Sequence, residues 1–294
     1  MIVALTATLL LSVVIGLSLG LLGGGGSILT VPILTYVAGL DPKEAIAASL
    51  FVVGATSAVS AVDHARNGRV KWRTGLVFGA AGMAGAFAGG LLGGRIPGTV
   101  LMIAFAAMMV ATSLAMIRGR KNTAAATGSG ELPVVKVILE GLVVGLVTGL
   151  VGAGGGFLVV PALALLGGLA MPVAVGTSLV VITLKSFAGL GGYLTTVHLD
   201  WALVGAVTAA AILGSVIGSR LAGRIPEAAL RKGFGLFVLA MGVFVLVQEL
   251  PGTAGLAVGI AAAVLALAGA TCRYAAPRCP LRLVPAPAGP AHTR

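Results

Sequence analysis

Apolar residues run in long blocks along nearly the whole chain, at about residues 2–22, 27–38, 44–63, 72–94 and 99–117. After a polar stretch rich in Thr, Ala and Gly, they resume at about 134–151, 156–169, 172–194, 201–222, 233–248 and 254–271. A helix rises about 1.5 Å per residue and the hydrocarbon layer of a bilayer is about 30 Å thick, so most blocks are long enough to cross as single helices. The blocks at 27–38 and 156–169 are short for a crossing. They read as re-entrant half-helices or as the short second arms of tight hairpins. The N-terminus, MIVALTATLL, has no basic leader region and reads as a retained span.

The same pattern repeats. GLLGGGGSILTVP at 20–32 matches GLVGAGGGFLVVP at 149–161, an offset of 129 that holds without a gap. The register places Ser49 on Ser178, Ser57 on Ser186, Trp72 on Trp201, Gly85 on Gly214 and Gly89 on Gly218. GGRIP at 93–97 falls on AGRIP at 222–226. Shared composition does not hold two tryptophans and two prolines in one register, so the halves are copies of one unit.

Charge orients the copies. The loop at 64–71 carries Arg66, Arg69 and Lys71, whereas its partner at 193–200 carries no Lys or Arg. The region around Arg95 is lightly charged, whereas its partner at 220–232 holds Arg220, Arg224, Arg231 and Lys232. Because basic loops stay on the cytoplasmic side, opposite bias in matched loops implies units inserted in opposite senses. A parallel duplication would leave one basic cluster on the wrong face. The expected fold is an all-α polytopic membrane protein of two inverted-topology repeats of transmembrane helices, with Gly-rich helix breaks or re-entrant hairpins. Residues 1–118 form the first repeat, 119–133 a cytoplasmic linker, 134–248 the second repeat, and 249–271 an additional helix. Residues 272–294, rich in Pro and Ala, form a disordered cytoplasmic tail. The expected setting is the cell membrane, with the N-terminus outside and the C-terminus inside.

Composition sharpens the reading. Of 294 residues, 58% are apolar and 9% charged, and the mean hydropathy is +1.12. Soluble domains carry about 25% charged residues, so too few remain here to cover a soluble surface. The net charge of +11 sits in loops, with no basic face interleaved with aromatics, so no nucleic-acid partner is expected. Cys272 and Cys279 alone make neither a disulfide framework nor a metal site.

Catalytic chemistry is not expected. His64, His198 and His292 have no metal-ligand spacing with Cys, Asp or Glu, and the eight carboxylates are scattered near helix ends. The run LLGGGGS lacks the GK[ST] ending of a nucleotide-binding loop. No metal or cofactor is therefore expected.

The glycine runs suggest a binding site instead. Gly24, Gly25 and Gly26, followed by Ser27, and Gly154, Gly155 and Gly156 interrupt apolar segments. Lipid cannot satisfy free backbone groups, so a break is tolerated only inside protein or beside a polar cavity. A helix restarting at Ser27 or Gly156 aims N–H groups at the break, which favours an anion. Tight hairpins serving packing alone are the alternative. Lys185 is the basic residue set deepest in any apolar block. Leaving a lysine at the centre of an isolated span costs about 2.5–3.5 kcal/mol, so a protein cavity or a bound anion is its expected surrounding, with snorkelling to the interface as the alternative. Its repeat partner is Thr56, so the positive charge is asymmetric. Ser49 with Ser178 and Ser57 with Ser186 stand at matched depths and complete the candidate substrate-binding set. A histidine such as His64 can take up a proton near neutral pH, which leaves a coupled proton or other ion open.

GLLGGGGSILTVPIL followed by AIAASLFVV, and GLVGAGGGFLVVPAL followed by AVGTSLVVI, resemble the sulfite exporter TauE/SafE family over roughly residues 5–248. The family's glycine motif falls on Gly20, Gly23, Gly25, Gly26 and Pro32, then on Gly149, Gly152, Gly154, Gly155 and Pro161. The resemblance implies transport of sulfite, an organosulfonate or a related organic acid. The expected function is a secondary transporter of a small anionic substrate, with membrane lipid around it. A channel, or a membrane assembly or accessory protein, is the alternative.

Overall fold

The computed structural model describes residues 2–22, 25–118, 134–152, 154–156, 159–160, 163, 169, 171–221, 227–250, 252–257 and 259–261. Gly24, the expected linker at 119–133, the expected tail, and most of the blocks at 156–169 and 254–271 lie outside these residues. The elements are α1 (Ile2–Leu22), a 3-10 turn (Gly25–Leu29), α2 (Thr30–Tyr36), α3 (Pro42–Arg66), α4 (Trp72–Arg95) and α5 (Gly98–Arg118). They continue with α6 (Val134–Val151), α7 (Met171–Tyr193), α8 (Trp201–Leu221) and α9 (Glu227–Glu249). No strand occurs among the described residues.

Local chemistry sets several helix starts. Asp41 accepts the Lys43 N–H at 3.0 Å ahead of Pro42, a capping carboxylate before a proline in the first turn. Asp200 does the same for α8, accepting from Ala202 N at 2.9 Å and Leu203 N at 3.2 Å. Helices α3, α4, α8 and residues Val173–Tyr193 of α7 are long and apolar enough to cross a membrane. Their surroundings fit that role. Leu139, Leu213 and Leu236 are 62%, 64% and 63% exposed, outward apolar surface that lipid would cover.

Glycine decides which helices touch. A Cβ on Gly85 or Gly89 of α4 would overlap the Leu142 or Leu146 carbonyl of α6, and one on Gly145 or Gly149 of α6 would overlap the Gly82 or Ala86 carbonyl of α4. The second interface repeats the first with the units exchanged. Gly214 and Gly218 of α8 meet the Val13 and Leu17 carbonyls of α1, while Gly16 and Gly20 of α1 meet those of Ala211 and Ser215. Every one of these pairs maps onto its counterpart by the offset of 129. Small residues at such crossings let backbones approach closely, which gives van der Waals contact where lipid leaves no hydrophobic drive. Thus α4 of the first unit packs on α6, the first helix of the second, and its counterpart α8 packs on α1.

Helices α3 and α7 occupy matched places and cross each other directly. Gly176 lies against the Arg69 carbonyl and His64 Cβ. A Cβ on Gly54 would sit 3.4 Å from Ser186 Cβ, and one on Gly189 would sit 3.4 Å from Leu50 Cδ1. As numbering falls along α3 it rises along α7, so the two helices run antiparallel. Farther out, α5 and α9 pair. A Cβ on Gly242 would stand 3.1 Å from Met109 Cβ. Tyr36 of α2 donates to Glu249 Oε1 at 2.8 Å and stacks edge-on with Phe244 at 5.3 Å, which ties α2 to α9.

Candidate functional site

Two interruptions in the helices meet inside this frame. In the first unit the chain leaves α1, turns through Gly25–Leu29 as a 3-10 helix, and resumes as α2. In the second, α6 ends at Val151, and Gly152, Gly154 and Gly155 follow with φ of 75°, 58° and 63°. Those are left-handed conformations that a side chain disfavours, so the glycines are required by the turn. Helical bonding then restarts, since the Gly155 carbonyl accepts the Val159 N–H at 3.0 Å.

The breaks touch through few atoms. A Cβ on Gly154 would lie 3.4 Å from Ser27 Cβ, so the start of one broken helix sits against the turn of the other. Ser49 of α3 bridges the units by donating to the Gly152 carbonyl at 2.6 Å, with the Ile46 carbonyl of its own helix at 2.9 Å. Ser27 and Ser49 are fully buried. Gly25, Gly26, Ser27, Ser49, Gly154, Gly155 and Gly156 thus belong to one region, whereas Gly24 is outside the described residues.

Lys185 enters this region from α7. It is 1% exposed, which removes the snorkelling alternative. Its ammonium donates to Thr148 Oγ1 of α6 at 3.1 Å, and a methyl on Gly155 would collide with Nζ and with the Thr148 side chain. Thr148 in turn donates to the Val144 carbonyl at 2.7 Å, so its hydroxyl is both donor and acceptor. A lysine ammonium has three donors; among the described residues, Thr148 takes one. No described carboxylate pairs with it. The matched Thr56 satisfies itself on the Val52 carbonyl at 2.7 Å, so the positive charge belongs to one half only.

Ser57 and Ser186 stand at matched positions on the crossing helices α3 and α7. Both are 1% exposed, and neither hydroxyl has a hydrogen-bond partner among the described residues. Leaving a buried hydroxyl unpaired costs about 1–3 kcal/mol, so these helices hold two polar groups that a polar ligand could satisfy. Ser178 is buried but turns inward on its own helix, donating to the Val175 carbonyl at 2.7 Å. Thr148 is the residue that sequence reasoning missed. Its matched position is Leu19, so the repeat held no sign of it; its place one turn before Gly152 is the only signal.

The sulfite exporter TauE/SafE family model matches residues 8–245. A "Probable membrane transporter protein" of Xylella fastidiosa (strain 9a5c) is 34% identical over 243 residues, covering 79% of this chain and 91% of that protein. The "Probable membrane transporter protein YdhB" of Bacillus subtilis (strain 168) is 24% identical over 244 residues, covering 81% and 98%. A "Probable membrane transporter protein" of Haemophilus influenzae is 25% identical over 256 residues, covering 80% and 95%. No solved structure matches the chain. With a family model spanning both glycine-broken units and relatives matched nearly end to end, this multi-pass membrane protein belongs to the sulfite exporter TauE/SafE family of membrane transporters.

Proposed function

We propose that the chain is a secondary transporter of a small anion, of the sulfite, organosulfonate or related organic acid class. The observation that carries this reading is Lys185: a fully buried ammonium with no described carboxylate partner, where two broken helices meet. An oxyanion would supply the missing charge, accept the ammonium's remaining donors, and satisfy the hydroxyls of Ser57 and Ser186. The glycine turns leave backbone N–H groups near the same place, as in transporters built from discontinuous helices.

The antiparallel crossing of α3 and α7 and the exchanged glycine contacts support two units inserted in opposite senses, working by alternating access. Basic loops at 64–71 and 220–232 favour the cell membrane with the C-terminus cytoplasmic and the N-terminus outside. On this reading the protein is not an enzyme and needs no cofactor. His64 is the group we assign to proton coupling.

Purified protein in liposomes tests this. Sulfite, sulfate, sulfoacetate, taurine and simple carboxylates are offered with and without a pH gradient. Saturable flux of one anion class, with affinity lost in Lys185→Ala, is the expected result. Unsaturated flux at channel rates would replace the carrier with a channel. Lys185→Ala with unchanged binding and flux would remove Lys185 from the site.

A further inference from the structure

A cavity of about 310 Å³ opens between α1, α3 and α8, away from the junction of the breaks. Its polar wall is Ser60, Asp63 and His64 from α3 and Ser215, Ser219 and Arg220 from α8. Ser60 lies one helical turn along α3 from Ser57, and Leu179 brings α7, the helix of Lys185, into the lining. Ser60 Oγ and Ser215 Oγ are 3.1 Å apart. His64 Nδ1 is buried without a hydrogen-bond partner among the described residues.

The other half of the molecule has no such gap at the matched place among the described residues, and the sequence explains why. Ser60, Asp63 and Ser219 correspond to Gly189, Gly192 and Gly90, and His64 corresponds to Tyr193. There the glycines let α4 and α7 close on each other: Gly90 meets the Gly189 carbonyl and Gly192 meets the Phe87 carbonyl. Tyr193 fills the remaining space and donates to the Leu150 carbonyl at 2.6 Å. Between α3 and α8, polar side chains replace those glycines and hold the helices apart. The cavity is therefore built by substitution at the closest contacts, and the residues substituted are the ones that line it.

We propose that this cavity is a second, outer binding site for a small oxyanion, with Arg220 supplying the charge and Ser60, Ser215, Ser219 and His64 the hydrogen-bond partners. Asp63 is the opposing charge. Arg220 offsets it, and Arg66, Arg69 and Lys71 in the adjoining segment keep the local balance positive. The positive excess comes from Arg66, Arg69 and Lys71; a positive local field concentrates anions, and one gathered here stands one turn of α3 from Ser57. The inference rests on the anion-transport reading and adds the point of entry.

The test uses a thiol at Val216, an apolar lining residue that is 38% exposed. Val216→Cys is made in full-length protein with Cys272→Ser and Cys279→Ser, in membrane vesicles with the basic loops outward. It is reacted with a sulfonate-bearing methanethiosulfonate and with its trimethylammonium analogue. Relative to a free thiol, the anionic reagent is expected to be favoured by about tenfold, the lower end of electrostatic focusing in a charged cleft. Sulfate should slow it, Arg220→Gln should abolish the preference, and Arg220→Lys should restore most of it. Equal relative rates, a cationic preference, or indifference to Arg220→Gln in folded protein would overturn the outer site. The two readings fail separately: a charge preference without flux would count against transport alone, and Lys185-dependent flux without the preference would count against this cavity alone.

Discussion

The Lys185 ammonium reaches from α7 to Thr148 Oγ1 of α6 at 3.1 Å, and the same threonine donates onward to the Val144 carbonyl. The hydroxyl thereby fixes the direction of a buried cation. In Thr148→Val the shape is nearly kept, but the ammonium loses its acceptor, a cost of about 1–3 kcal/mol. Thermal unfolding in detergent should show that loss, and anion affinity should fall because the charge is no longer aimed. The double variant Lys185→Met/Thr148→Val should unfold no earlier than Lys185→Met, since nothing remains for Thr148 to orient. Additive losses would mean that the two residues act apart.

Gly155 offers a way to separate backbone strain from disturbance of the lysine. At φ of 63° an alanine costs about 1–2 kcal/mol, and its methyl would also displace Nζ and Thr148. Gly39 has φ of 75° with nothing within 4 Å of an added methyl, so Gly39→Ala carries the strain alone. Gly39→Ala should lose the strain energy, and Gly155→Ala should lose more because its methyl must also push Lys185 and Thr148 aside. Only Gly155→Ala should weaken anion binding, as read by isothermal titration or by flux. Equal binding in the two would show that Nζ does not depend on this turn.

The exchanged interfaces make a matched prediction. A side chain on Gly85 or on Gly214 meets a backbone carbonyl, which no rotamer can avoid. Gly85→Val and Gly214→Val should each force a helix pair apart, costing about 1–3 kcal/mol or more, with a lower yield of monodisperse protein. Gly205→Ala, with open space around it, should be neutral or slightly stabilising because alanine is the better helix former. If the valine variants behave like Gly205→Ala, the close crossings are not what holds α4 on α6 and α1 on α8.

Much of this was legible in the chain because duplication shows twice what is needed once. The blocks at 72–94 and 201–222 lie within a residue or so of α4 and α8, and the ungapped offset named Ser57 and Ser186, which are both buried at matched positions on the crossing helices α3 and α7. Lys185 stood out because a charge in an apolar block has few places to go. Departures from the repeat were harder to read. Thr148 opposite Leu19, and Ser60, Asp63 and Ser219 opposite glycines, look like ordinary drift in sequence. Their meaning depends on which helices touch, and a helix's neighbour is set by long-range packing that hydropathy along the chain does not encode.

The Ser60–Ser215 contact tests whether α3 and α8 move against each other. The two hydroxyls stand 3.1 Å apart on facing helices, and cysteine pairs need Cβ atoms about 3.5–4.5 Å apart to bridge without strain. With the side-chain tips this close, Ser60→Cys with Ser215→Cys, again without Cys272 and Cys279, is expected to form a bridge under oxidant. If transport requires this polar gap to open and close, the bridged protein should bind anion yet lose flux by at least about tenfold, a barrier rise of roughly 1.4 kcal/mol, and reductant should restore it. Either single cysteine should show the same flux with the oxidant as without it, so that the loss reports the bridge itself. Quantitative bridging with unchanged flux would locate the moving boundary elsewhere, at the tighter pair of α4 and α7, where Gly90 meets the Gly189 carbonyl.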